Sequence, residues 1–214
     1  MKIFTKIKWI KSILNYLVKS YLYDLRRGTN TQMWYFSRFN SSKENDSLIY
    51  MGSTLEDIEE STKKLEKIIG KDLMSNSNLI DIGSGKGKVL LTWRKIYPEN
   101  ENILGFDYNK NLNKIALKNF DKLNYKSVKI LHADASLLKI PKLNETFTVF
   151  FMYNPFGKKT INNFFKNNLP KKSALIYFNP LHSELIESFG YIKAYQRDTH
   201  MRGSSYKIFI KGFN

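Results

Sequence analysis

At 214 residues the chain is long enough for one sizeable core, and its lack of cysteine excludes disulfides, thiolate nucleophiles and cysteine-based metal sites. Its three histidines, His132, His182 and His200, are scattered and spell no metal-ligand cluster, so no metal is expected. The net charge is +16, but lysines outnumber arginines 29 to 6 in a chain also rich in Asn and Ile, the bias of AT-rich codons. Scarce arginine argues against a dedicated DNA-reading surface, because that residue makes the bidentate phosphate and base contacts.

Residues 1–25 read as one helix. Ile3, Ile7, Ile10, Leu14, Leu17 and Tyr21 alternate spacings of four and three, which makes an apolar stripe, and Lys2, Lys6, Lys8, Lys11 and Lys19 lie largely off it. Through Arg27 the segment carries seven basic residues against one acid, Asp24. Lys11 and Asn15 interrupt it too much for a bilayer span, and no small-residue cleavage site follows. Two readings stand: a lid helix packed on the main domain, or an in-plane membrane helix with Trp9 and the lysines at the headgroups. The second would make the protein peripheral at the inner face of the membrane; otherwise a cytoplasmic location is expected.

Residues 26–54 are polar, aromatic and turn-rich, with Arg27-Gly28-Thr29-Asn30-Thr31 and Tyr50-Met51-Gly52-Ser53-Thr54 standing out. A helix from Leu55 to Ile69 follows, with Ser53 or Thr54 as N-cap and Gly70 as its end. Residues 1–72 are therefore read as an N-terminal helical extension and 73–214 as the main domain.

Leu79-Ile80-Asp81-Ile82-Gly83-Ser84-Gly85-Lys86-Gly87 reads as an apolar strand running into a glycine-rich turn that opens a helix, Lys86 to about Tyr97. Asp107 comes twenty residues after Gly87, at the end of a second apolar segment, where a carboxylate is placed to accept hydrogen bonds from a ribose. A dinucleotide fingerprint would need Gly or Ala at 88, which is Lys. A Walker A loop would need Ser or Thr after Gly87-Lys88, and Val89 stands there. Further strands are expected near 102–107, 128–132, 147–152, 173–179, 191–197 and 205–212, with helices near 111–123, 158–168 and 182–189. Only a loop, Asp198 to Ser204, separates the last two strands, which predicts an antiparallel final hairpin.

The D-x-G-x-G-x-G turn with Asp107 resembles motifs I and II of the class I S-adenosylmethionine (SAM)-dependent methyltransferases. Ile130-Leu131-His132-Ala133-Asp134-Ala135 resembles the third-strand motif, and Val149-Phe150-Phe151-Met152-Tyr153-Asn154-Pro155-Phe156 resembles motif IV. The likeness covers residues 79–212. The pre-domain segments and the Tyr-Asn-Pro-Phe sequence resemble a group of bacterial members. The resemblance implies an α/β, Rossmann-like, doubly wound seven-stranded sheet of order 3-2-1-4-5-7-6, its last strand antiparallel, with SAM as cofactor. It implies that Gly83, Gly85 and Gly87 give the cofactor clearance and that Asp81 orients its ammonium. Asp107 would take the ribose hydroxyls, Tyr108 would lie against the adenine, and Asp134 with the Ala135 amide would read the adenine edge. Tyr50 and Thr54 belong to segments that in related enzymes fold over the methionine end.

On the acceptor side the resemblance points to Tyr153 and Asn154, with Asn154 also beside the cofactor. Amino-methylating enzymes use a D/N-P-P-Y/F motif there; this chain has one proline, so amine and hydroxyl acceptors both stay open. Asn179-Pro180-Leu181-His182 ends the fifth strand, where His182 could serve a hydroxyl acceptor as general base. The expected function is methyl transfer to an O or N acceptor on a small molecule, lipid-linked intermediate or glycan. The alternatives are a protein-lysine N-methyltransferase and a non-catalytic module of the same fold that binds a membrane or partner.

Overall fold

The computed structural model describes residues 18, 21–31, 53–143, 145–153, 156–199 and 204–213. Seven strands form one sheet: β1 (Asn78–Ile82), β2 (Ile103–Asp107), β3 (Lys129–His132), β4 (Thr148–Tyr153), β5 (Ser173–Phe178), β6 (Ile192–Arg197) and β7 (Tyr206–Lys211), in the order β3-β2-β1-β4-β5-β7-β6. The first five pair in parallel, and β7 runs antiparallel to both β5 and β6. The expected fold class and strand order are thus observed.

The central strands are continuous apolar runs because helices cover both faces. β5 is buried at every position, and β4 at every position but Tyr153. Alternate side chains feed two cores. Leu79, Ile103, Val149, Phe151, Ile176, Phe178 and Ile208 meet α1 (Leu55–Ile69), α3 (Lys88–Ile96) and α4 (Lys110–Lys122) through residues such as Ile58, Leu65, Leu90, Trp93 and Phe120. Ile80, Ile82, Phe106, Phe150, Met152, Leu175, Tyr177 and Phe209 meet α5 (Lys158–Asn167) and α6 (Ser183–Ser188) through Ile161, Phe164, Phe165 and Ile186.

α1 begins where Thr54 Oγ1 accepts from the Asp57 amide at 2.9 Å and stops at Gly70, whose φ of 92° no other residue adopts easily. A short α2 (Lys71–Ser75), not anticipated from sequence, follows at once. α1 lies across α3, where Trp93 Nε1 donates to Thr62 Oγ1 at 3.0 Å. It is also tied to the final hairpin. Arg197 of β6 pairs with Asp57 and Glu60, both at 2.5 Å, and Tyr206 Oη of β7 donates to Glu60.

Candidate functional site

The sheet reverses its winding between β1 and β4, so a crevice opens at the carboxyl ends of these strands and of β2. The chain leaves β1 through a turn in which Gly83, Gly85 and Gly87 all have positive φ, at 78°, 52° and 80°. That is why α3 starts at Lys88 and not at Lys86: the turn occupies both intervening residues. The amides of Gly83 and Ser84 both donate to the Phe106 carbonyl, fixing the turn to β2. Gly87 is required by packing, since a Cβ there would sit 2.8 Å from Phe120 and 3.2 Å from Ala116.

Two carboxylates face this turn. Asp81 lies within β1, in register with Gly105 of β2 and Phe151 of β4, and is 3% exposed. Burial, and then the neighbouring charge of Asp107, hold its carboxyl well above the usual carboxylate range. Asp107 ends β2. Its Oδ2 accepts from the Gly85 amide at 2.9 Å and its Oδ1 from the Asn109 amide at 2.8 Å. Burial raises its pKa against the opposing pull of those two amides and of His132.

Tyr108 follows with half its surface exposed, its ring centroid 6.1 Å from that of His132, whose Nε2 lies 2.8 Å from the Tyr108 carbonyl. Asp134 stands just past β3, where its Oδ1 accepts from the amide and hydroxyl of Ser136, and Ala135 beside it is buried. Tyr108, His132, Asp134 and Ala135 thus stand together at the carboxyl ends of β2 and β3.

On the other side Tyr153, at the end of β4, stacks on Phe178 of β5 with centroids 5.8 Å apart and planes 8° from parallel. Phe178 stacks in turn on Tyr206. Asn179 adopts a left-handed φ of 46°, and its amide donates to the Ser205 carbonyl, which turns the chain out of β5. His182 is the half-buried N-cap of α6, its amide pointing to Tyr177 Oη. The expectations placed on residues 1–17, Tyr50, Asn154 and His200 lie outside the described residues.

Sequence reasoning missed three features. Gly105 lies under the turn, and a Cβ there would come within 2.4 Å of Leu90 and 2.7 Å of Ser84. Lys88 is buried, its Nζ donating to the Ser53 carbonyl at 3.0 Å; burial lowers its pKa to about 8. That bond brings Thr54 up to the start of α3. The third is a polar knot. Asp24, 7% exposed, accepts from Thr29 Oγ1, the Thr31 amide and Thr31 Oγ1 at 2.7–2.9 Å. Between those threonines, the Asn30 side chain accepts from Lys86 Nζ of the glycine turn at 2.9 Å, while the Asn30 amide donates to Asn119 Oδ1 of α4 and the Asn30 carbonyl accepts from Asn119 Nδ2. Asn119 also donates to the Lys86 carbonyl. The 24–31 segment is therefore fastened directly to the glycine turn. The Thr-Asn-Thr run was visible as a signal, but not its destination.

A family model described as "Putative methyltransferase" matches residues 75–162. The chain is 27% identical over 150 residues to a carboxy-S-adenosyl-L-methionine synthase of Staphylococcus epidermidis, covering 69% of this chain and 65% of that protein. It is 28% identical over 126 residues to a release factor glutamine methyltransferase of Buchnera aphidicola, covering 59% and 41%. It thus spans less than two thirds of the length of either relative. Among solved structures it is similar to a SAM-dependent methyltransferase of Aquifex aeolicus, with a TM-score of 0.50, 16% identity and coverage of 74% and 97%. It is also similar to a magnesium protoporphyrin IX methyltransferase of Synechocystis with bound SAM, with a TM-score of 0.53, 12% identity and coverage of 73% and 79%. At these identities the likeness is one of fold.

Proposed function

We propose that this chain is a class I SAM-dependent methyltransferase, a reading supported by the fold, the glycine turn and the family match over residues 75–162, and that it binds SAM in the crevice and transfers its methyl group to an O or N acceptor on a small molecule, lipid-linked intermediate or glycan. The observation that carries this reading is the pair of carboxylates. Asp81 and Asp107 repel one another in a buried setting, so the site favours a cation. SAM fits, because it brings an ammonium and a sulfonium and supplies an activated methyl when bound.

In this reading Asp81 holds the ammonium, and the Gly83–Gly85 backbone lets the cofactor approach. Asp107 takes the ribose hydroxyls and keeps the Gly85 amide in place. Tyr108 covers one face of the adenine, while Asp134 and the Ala135 amide read its edge. Thr54 and Tyr50 close over the methionine end. Tyr153 and Asn154 hold the acceptor in line behind the methyl in a water-poor pocket, which lowers the barrier by positioning. His182 takes the proton when the acceptor is a hydroxyl.

Isothermal titration with SAM, followed by labelled-methyl transfer into lysate separated into protein, nucleic acid, lipid, glycan and small-molecule pools, tests the proposal. No binding heat sinks the cofactor assignment. Label confined to protein points instead to a lysine acceptor. Asn154→Ala should keep SAM affinity within a few-fold while losing most turnover; full activity would reduce Asn154-Pro155 to a structural turn.

A further inference from the structure

We propose that an open cavity between the last turn of α3 and the loop that enters β3 binds a phosphate dianion, either free or as the monoester of a small molecule. α3 starts at the glycine turn, at the carboxyl end of β1, and runs back along the sheet, so its last turn lies at the amino ends of the strands, away from the crevice. There Arg94 and Lys95 meet residues 124–127 around a cavity of about 500 Å³.

Arg94 is the central group. It is 6% exposed, and its Nη1 donates to the Pro98 carbonyl just beyond the helix. Its Nε and Nη2 are buried and have no hydrogen-bond partner among the described residues. These two nitrogens form one edge of the planar guanidinium, the fork that takes two oxygens of a carboxylate or phosphate at once. Buried donors without an acceptor are rare in folded proteins. The dipole of α3 favours cations in its last turn and accounts for Arg94 and Lys95 standing there, but not for a fork without an acceptor.

The other lining groups say which anion. Lys95 and Lys126 add two cations, Ser127 adds a hydroxyl, and the lining holds no acid. Lys95 meets Glu59 at 3.3 Å in a partly exposed pair, a weak hold. Three cations exceed the need of a carboxylate and match the nearly double charge and three acceptor oxygens of a phosphate monoester. Asn124, at a left-handed φ of 57°, and Lys126 are exposed, so their turn is the wall that moves to bring the anion onto the buried fork. Such binding does not depend on methyl transfer.

Amide-resolved NMR of the full chain at about pH 7.5, where a phosphate monoester carries nearly two charges, reads the site directly. Inorganic phosphate and glycerol 3-phosphate are titrated at constant ionic strength, with acetate as the singly charged control. Phosphate should shift the Lys126 and Ser127 amides, with acetate about tenfold weaker, and the tighter of the two phosphates tells the free ion from the ester as its source. Arg94→Met should weaken phosphate about tenfold, and Lys126→Glu, at an exposed position, by as much with its thermal melting unchanged. Shifts confined to the Gly83–Gly85 amides, equal affinity for acetate, no shift with either phosphate, or undiminished binding by Lys126→Glu overturns the proposal. So does a single-stranded oligonucleotide that binds more tightly than either phosphate and loses that advantage in Lys126→Glu, since nucleic-acid phosphodiesters would then be the ligand.

Discussion

Asp81 behaves unlike most carboxylates of a folded protein. An acid whose folded pKa lies above its unfolded value binds more protons folded than unfolded between the two values, so stability falls as pH rises through that interval. At neutral pH Asp81 is therefore a cost to the ligand-free protein. Asp81→Asn should raise the melting temperature at pH 7 and yet weaken SAM binding, measured by calorimetry on both counts. A cation bound beside Asp81 favours its ionised form, so SAM affinity should rise with pH through the raised pKa and binding should release a proton. Titrations in buffers of different ionisation enthalpy, repeated over a pH series that starts on the acid side, read that proton; release at no pH in the series would remove Asp81 from the ammonium. Asp107→Ala removes an acceptor of charge-assisted bonds, each worth about 1.5–3 kcal/mol, and should weaken SAM about ten- to a hundredfold. Unchanged affinity would reassign Asp107 to holding the Gly85 and Asn109 amides.

The elements tolerate little change where they meet under the crevice. Gly105→Ala drives a methyl into Leu90 of α3 and Ser84 of the turn, and overpacking of this kind costs about 1–3 kcal/mol. Urea denaturation should show that loss, and titration should show weaker SAM binding because Ser84 must move. At the first turns of α1, Arg197→Met would leave Asp57 and Glu60 without their cation and the Ser204 carbonyl without its donor. The expected loss is about 1.5–3 kcal/mol, with faster amide exchange along β6 than along β4. These elements were mostly legible in the sequence. The Thr54 cap, the Gly70 stop and the short Asp198–Ser204 connection each act locally, and each produced the expected helix boundary or antiparallel hairpin. The start of α3 was read two residues early because periodicity does not register three positive-φ glycines at alternate positions. The role of Gly105 depends on Leu90 and Ser84, and the Asn30–Lys86 bond joins residues 56 apart. Such pairings have no short-range signature. The same holds for Asp81, whose raised pKa comes first from burial in the assembled sheet and then from Asp107 across a strand boundary.

At the scale of the whole molecule, chain order and sheet order diverge at one place. β7 follows every other described strand in sequence and lies between β5 and β6 in space. Without it β5 keeps a bare edge of Ser173-Ala174-Leu175-Ile176-Tyr177-Phe178, all buried when β7 is paired, and β6 has no neighbour. A chain truncated before Tyr206 should therefore accumulate in the insoluble fraction on expression, whereas loss of an edge strand such as β3 would leave the sheet centre intact. The same geometry bears on biosynthesis. While the ribosome is still adding residues 206–211, five parallel strands can already assemble, but their outermost member presents an apolar, β-prone edge to its surroundings. The nascent protein is thus most exposed to aggregation between the synthesis of β5 and that of β7, and chaperone demand should peak in that interval, ending when the sixth position of the sheet is filled.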